Sequence, residues 1–385
     1  MALALAVSAL FALVLLLDAS VAAARHGGPG ARKNASPEAY HPPSLTLSEV
    51  EEMSPSALET VAEAFVDQGM LLVLETTGRY VDARIRTLAE LEKCASSFAR
   101  STGGDGSGVR ISTLGDGTRR FTIATSSEGG ASEDDGGEGI HPNVVANCPD
   151  FASASSAMRG MNLDATQAVA RSLRRALLAR FGEERDASSP SCEGVDILAA
   201  VQAGDHLEHF HVYTKEGEER DGRGNQRSRG AGEDSAATLH MHTDLGVLLS
   251  MAPALYTTGK GAPTDHSASG LFVETKEGTV KQVHLPLSGI LFMVGEGVHM
   301  WLSHGLGQEI DFHIPKHAMA MPEGLSNTVS RSWYGRMIMP PAQATLKGEK
   351  VSFETFREVA KRRLQGDRKE GDQEIVDALQ NVGCR

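Results

Sequence analysis

The pattern of apolar and polar positions changes period near residue 193. Before it, the spacing is helical. Ala57, Leu58, Val61 and Phe65 recur at helical intervals behind Ser54-Pro55-Ser56, a helix-start signal, and Gly69 closes the run. Residues 70–74 (MLLVL) are continuously apolar, as a buried strand is. Residues 82–99 form a second helical stretch. Residues 157–182 form a third, with Met158, Met161, Leu163, Val169, Leu173, Leu177 and Leu178 on one side. Beyond 193, short β-rich runs alternate with turns, at 195–201, 209–213, 238–251, 270–274, 280–285, 290–294, 310–314 and 333–339. Eight short strands in that space are what a double-sheet jelly roll requires. A last helix runs from 352 to about 379. The expected fold is mainly β with flanking helices (α+β): a double-stranded β-helix, or jelly roll, with an N-terminal helical cap and a C-terminal helix.

Composition sets the boundaries. Ala2 to Leu17 is apolar apart from Ser8, and Ser20-Val21-Ala22-Ala23-Ala24 follows, which reads as a secretory signal peptide over 1–24. No Lys or Arg precedes the apolar run, so an uncleaved anchor is the alternative; Arg25, Arg32 and Lys33 behind it leave organelle targeting open. The Gly- and Pro-rich stretch 25–43 is expected to be a disordered linker. The mixed cap then covers 44–192, interrupted by a Gly/Ser/Asp-rich insertion over 101–147 that is expected to be mobile around one short strand at 120–124. The jelly-roll core covers 193–342, with a polar loop at 215–237, and the C-terminal helix lies within 343–385.

The 385 residues are 41% hydrophobic and 23% charged, the balance of a soluble globular protein. The net charge of −13 comes with no basic stripe, which argues against a nucleic-acid partner, and past the leader no stretch suits stable membrane insertion. If the leader is a signal peptide, the chain is secreted or enters the endomembrane lumen. Cys94, Cys148, Cys192 and Cys384 can then form two disulfides in any of three pairings. There is no CxxC for a cysteine zinc site, and Gly103 to Gly108 has no Lys at a P-loop position.

The chemistry concentrates in Leu239-His240-Met241-His242-Thr243-Asp244-Leu245-Gly246. Residues i and i+2 of a strand share a face, so His242 and Asp244 can reach one point. An imidazole and a carboxylate so placed are two legs of a 2-His-1-carboxylate triad, which holds Fe(II) on one side and leaves positions open. The third leg has to come from a distant strand. His299, His304, His313 and His317 all lie in the window.

At these residues the chain resembles the isopenicillin N synthase-like branch of the Fe(II)/2-oxoglutarate dioxygenases. The matching pieces are His242-Thr243-Asp244, Gly270 to Val273, Gly295-Glu296, His317-Ala318-Met319 and Arg331, in the family's order. The gap between Asp244 and Gly270 is wider than usual and reads as an inserted loop over 256–269. The resemblance spans roughly residues 45–342 and is specific over 240–340. It implies His242, Asp244 and His317 as iron ligands, with His313 as the rival for the third. It implies Arg331 as the partner of the distal carboxylate of 2-oxoglutarate, with Arg336 on the opposite strand face as the rival. It also implies dioxygen as co-reactant and succinate and CO2 as products, from a small-molecule or peptidyl substrate. The family's RxS serine is replaced by Trp333, which alters the cosubstrate pocket.

Three further readings stay open. Asp205 to His211 carries His209 and His211 on one strand face, either lining the site or forming a partly buried polar strand; Tyr213 and Tyr256 are further cavity candidates. His240 and His242 form the HxH of a cupin-type metal enzyme, although Asp244 follows too soon and Arg331 has no task there. A catalytically inactive jelly roll that binds a ligand without turnover is the non-enzyme alternative.

Overall fold

A computed structural model describes residues 38–98, 108–128, 139–182, 194–215, 237–258, 263–264, 270–302, 309–321, 329–347, 350–364, 372 and 375. The proposed signal peptide, Cys192, Cys384, His304 and most of the C-terminal tail lie outside them.

The strands are β1 (Ala39–Tyr40), β2 (Ser44–Thr46), β3 (Met70–Leu74), β4 (Val109–Thr113), β5 (Thr118–Glu128), β6 (Asp205–Lys215), β7 (Leu239–His242) and β8 (Leu248–Met251). They continue as β9 (Leu255–Thr258), β10 (Pro263–Thr264), β11 (Leu271–Glu274), β12 (Val280–Val283), β13 (Gly289–Val294), β14 (His317–Met319) and β15 (Val329–Ile338). The helices are α1 (Leu47–Glu52), α2 (Pro55–Val66), α3 (Arg79–Phe98), α4 (Pro142–Asn147), α5 (Pro149–Phe181), α6 (Ile197–Ala203), α7 (Gly297–Trp301) and α8 (Phe353–Leu364).

Two sheets result. The smaller runs β1-β12-β11-β14-β7; the larger runs β2-β3-β13-β8-β15-β6-β5-β4, with β9 paired to β15 and β10 to β9. Pairing is antiparallel except β1–β12 and β2–β3. This is the sheet-rich α+β jelly roll that the periodicity predicts. Helices α2, α3 and α5 cover the outer face of the larger sheet, where Val61, Phe65, Leu88, Leu91, Val169 and Leu173 meet Phe210, Val212, Phe292 and Tyr334 in one apolar cluster. The alternation of β6 shows how one strand serves both faces. Glu208, Phe210 and Val212 turn to the helices, whereas Leu207, His209, His211 and Tyr213 turn into a cavity between the sheets.

Several boundaries differ from those the sequence suggests. The linker ends early, because Ala39 and Tyr40 pair with Gln282 and Val283. The run 195–201 is helical: Asp196 caps the Leu198 N–H, and Ile197, Ala200 and Val201 bury at helical spacing. The run 310–314 makes no strand; Ile310 and Phe312 are buried, but the His313 N–H bonds to the Val66 carbonyl, not to a sheet. Helix α5 begins at Pro149, since the small Ala and Ser residues ahead of Met158 hide its first turns while permitting close packing, with Thr87 donating to the Ala154 carbonyl. Part of the 101–147 insertion is the β4–β5 hairpin, which extends the larger sheet by pairing along β6. The gap at 256–269 holds β9, paired with β15 from Val329↔Thr258 to Ser332↔Leu255. Helix α8 is described over Phe353–Leu364, Asp372 and Ile375 are helical as well, and the other residues expected in the C-terminal helix lie outside the described ones.

Cys94 and Cys148 are bonded, tying α3 to the start of α5 across 54 residues. At the other end of the sheet, His206 is fully buried; its Nε2–H donates to the Val201 carbonyl and its Nδ1 accepts the Met339 N–H. Burial, followed by the nearby Arg336, lowers its pKa to about 4. The unfolded chain binds this proton near pH 6.5 and the folded chain does not. The resulting stabilisation is complete above about pH 6.5 and declines toward pH 4, by roughly 3 kcal/mol in all. Urea titrations between pH 7 and 4 should show this loss, and His206→Gln should reduce it.

Candidate active site

The site forms where the two sheets face each other. On the smaller sheet, His317 of β14 pairs directly with His242 of β7. Their rings lie 4.4 Å apart, and His317 Nε2 is 3.3 Å from Asp244 Oδ2. Asp244 follows β7 in a loop held by the Glu296 N–H, which donates to the Asp244 carbonyl at 2.7 Å. The loop approaches so closely that a Cβ on Gly295 would lie 2.4 Å from the carbonyl oxygens of Asp244 and Gly246, so only glycine fits there. All three side chains are buried, and their candidate ligand atoms lie within 4.8 Å of one another. Among the described residues no other group of three His, Cys, Asp or Glu side chains converges in this way.

The protonation pattern suits a cation. His242 Nδ1 lies 2.7 Å from the His240 carbonyl, which can only accept, so Nδ1 carries the hydrogen and Nε2 keeps its lone pair. Burial works to raise the Asp244 pKa, but the neighbouring imidazoles, His317 first, outweigh it and hold the carboxyl below its usual range. His317 Nδ1 is buried without a hydrogen-bond partner. Two imidazoles and one carboxylate, converging from one side on open space, fit a six-coordinate iron with free positions.

The larger sheet supplies the floor as a grid of cross-strand rows. Arg120, Tyr213, Arg331 and Tyr256 form one row; Thr122, His211 and Trp333 the next; Ala124, His209, Gly335 and Met251 the third. Arg331 is buried, its Nε donates to the Tyr256 hydroxyl at 3.3 Å, and its guanidinium stands 5.6 Å from the Tyr213 ring centre. Arg336 points the other way and pairs with Glu208, so of the two rival arginines only Arg331 lines the cavity. His209 and His211 both line it as well, which makes them cavity residues and not just a polar strand. Burial lowers the pKa of His209 to about 4 and that of His211 well below its ordinary value, so both are neutral at pH 7. Thr122 Oγ1 lies 2.9 Å from His211 Nδ1. Trp333 stacks on His211 with ring centres 5.5 Å apart and planes at 4°.

Other candidates lie elsewhere. His240 is exposed and outside the cavity wall, so the HxH pair of the cupin reading does not converge. His313 bonds to Val66 through its backbone, and His299 Nε2 meets the Phe312 carbonyl. Thr122 and Arg120 are site neighbours that sequence reasoning missed, because the short strand at 120–124 is readable but its pairing with β6 is not.

Gly335 gives the site a test of its geometry. A Cβ there would come within 2.3 Å of the Trp333 ring, so Gly335→Ala should push the indole off His211 without unfolding β15. Tryptophan emission reports it, since the other tryptophan, Trp301, is packed between Phe353 and Phe356.

No family model matches this chain, and no curated protein matches it. Solved structures do. The rice dioxygenase for auxin oxidation is 15% identical and superposes with a TM-score of 0.50, over 85% of this chain and 96% of that one. A full-length Neurospora crassa protein in complex with alpha-KG and 5-formyluracil is 15% identical, with a TM-score of 0.48 over 84% and 95%. JOX2 in complex with 2OG, Fe and JA is 13% identical, with a TM-score of 0.49 over 95% and 97%. The likeness to the rice enzyme establishes a shared fold, the two-sheet jelly roll described above.

Proposed function

We propose that the protein is a non-haem Fe(II)- and 2-oxoglutarate-dependent dioxygenase that oxidises a small organic substrate and releases succinate and CO2. The observation that carries this reading is the convergence of His242, Asp244 and His317 on a cavity that Arg331 also lines. The three would hold Fe(II), and Arg331 would pair with the distal carboxylate of 2-oxoglutarate. Bound iron supplies the redox chemistry and the open positions at which 2-oxoglutarate and dioxygen react. The protein's own groups do the rest. Tyr256 steadies Arg331, and Tyr213 lies beside it. Trp333, which replaces the family's serine, closes that wall with an aromatic face. Neutral His209 and His211 add hydrogen-bonding capacity without adding positive charge near the metal site. Leu207, Leu249, Met251, Leu271, Leu285 and Met337 add apolar lining. The Cys94–Cys148 bond supports maturation in an oxidising compartment, consistent with a secretory leader.

The test is an anaerobic titration with Fe(II) and then 2-oxoglutarate, followed by visible absorption. Iron chelated by a keto acid should give a charge-transfer band that neither component shows alone, and Arg331→Gln should weaken cosubstrate binding by about 10- to 100-fold. Iron binding without a band would favour a cosubstrate-independent metal enzyme. No iron binding would favour the inactive binding module.

A further inference from the structure

With Arg331 given to the cosubstrate, a second cation lies beside the cavity floor, one strand beyond β6. Arg120 sits in the same cross-strand row, two strands away, on the far side of Tyr213. Its side chain hydrogen-bonds to Tyr213, and its charge acts on both His209 and His211, so it faces the cavity side of the sheet. Thr122, two residues on, shares that face and meets His211. Arg120 Nε is buried and has no hydrogen-bond partner, and among the described residues no carboxylate pairs with this guanidinium. A guanidinium nitrogen that is buried without a partner, one strand from a cavity, is a costly arrangement unless an anion reaches it.

Two strips of side chains lead away from this row. On β15 they are Arg331, Trp333, Gly335 and Met337; on β6 they are Tyr213, His211, His209 and Leu207. Arg331 heads the first strip and Arg120 the second, with the Tyr213 ring between them. The β6 strip passes His209, which is close enough to interact electrostatically with Asp244, and ends among Leu207, Leu249 and Met337. From Tyr213 to Leu207 it is six residues, or about 20 Å of extended strand.

We propose that Arg120 binds a carboxylate of the organic substrate, so that the enzyme acts on an apolar acid laid along β6. Its acid group sits at Arg120 and its carbon skeleton passes the metal site toward the apolar end. This rests on the oxygenase reading, in which Arg331 is occupied by the cosubstrate.

The experiment compares octanoate and 3-phenylpropanoate with their primary amides. Binding is read by Trp333 emission and by the shift each causes in the iron–2-oxoglutarate band, in the full protein and in Arg120→Gln and Arg120→Lys. The acids should bind at least about tenfold tighter than the amides, as a charge-assisted pair requires. The preference should vanish in Arg120→Gln and return in part in Arg120→Lys. Equal binding of acid and amide by the unaltered protein overturns the proposal, and so does an acid preference that survives in Arg120→Gln. Loss of the iron–2-oxoglutarate band in Arg120→Gln would also overturn it, because Arg120 would then be gripping the cosubstrate. If the unaltered protein gives no band at all, the oxygenase reading fails, while the acid-over-amide preference read by emission still decides the role of Arg120.

Discussion

Asp244→Ala is expected to yield a folded protein that has lost Fe(II) binding by more than about 100-fold and, with it, all iron-dependent turnover. Changes to groups that merely orient a ligand already cost about 10- to 100-fold in metal affinity, and Asp244 is the sole carboxylate of the trio, so its removal costs more. The metal-free protein should hardly notice. Asp244 sits in a loop fixed through its backbone carbonyl by Glu296, so the loop keeps its place without the side chain. Thermal unfolding without metal should therefore match the unaltered protein to within a few degrees, while added Fe(II) raises the midpoint of the unaltered protein alone. Unchanged Fe(II) affinity in Asp244→Ala would remove the trio as the metal site.

The largest loss of stability is expected at Glu208, on the opposite face of the strand that carries His209. Its carboxylate receives Arg159 Nη2 at 2.6 Å and Nε at 2.7 Å, the Tyr334 hydroxyl at 2.8 Å and Thr125 Oγ1 at 3.2 Å, with Arg336 Nη1 at 3.5 Å. Burial works to raise its pKa, yet Arg159 and Arg336 prevail and hold it low. Glu208→Ala leaves Arg336 of β15 and Arg159 of α5 without their counter-charge, at a cost of about 3–5 kcal/mol. The pH dependence has a definite sign. A depressed carboxyl contributes stability above its unfolded pKa, near 4.3, and that contribution is lost as pH falls through the lower folded value. It therefore adds to the acid sensitivity of His206 from below. Chemical denaturation of Glu208→Ala at pH 7 gives the magnitude; a loss under about 1 kcal/mol would mean that the arginines find water instead.

Much of the site is legible in the sequence because its signals are local. His242 and Asp244 share a two-residue spacing, and the order of Gly295, His317 and Arg331 follows a known pattern. Strand parity alone puts Arg331 and Arg336 on opposite faces, and only Arg331 lines the cavity. What could not be read is set by pairing across long gaps. The short strand at 120–124 is readable, but nothing in it announces that it extends over Thr118–Glu128 and lies along β6, since that length is set by its partner. The alanine-rich run of α6 carries the β-branched residues of a strand, and only its Asp196 cap betrays it. Ile310 and Phe312 alternate as a strand does, but their burial is supplied by the helical layer.

The wiring of the floor has a consequence for how the chain reaches its native state. Thr122 meets His211 across 89 residues, Glu208 meets Tyr334 across 126, and Ser250 meets Asn162 across 88. Contacts so distant along the chain must overcome loop-closure entropy before they stabilise anything, and they place a protein among the slow folders. Helices α2, α3 and α5, which are local, can assemble early. The cavity floor closes only when β15, late in the sequence, inserts between β8 and β6. Arg331 and Trp333 arrive with it, so ligand-binding competence should emerge in the final kinetic phase of refolding, after most helical signal has returned.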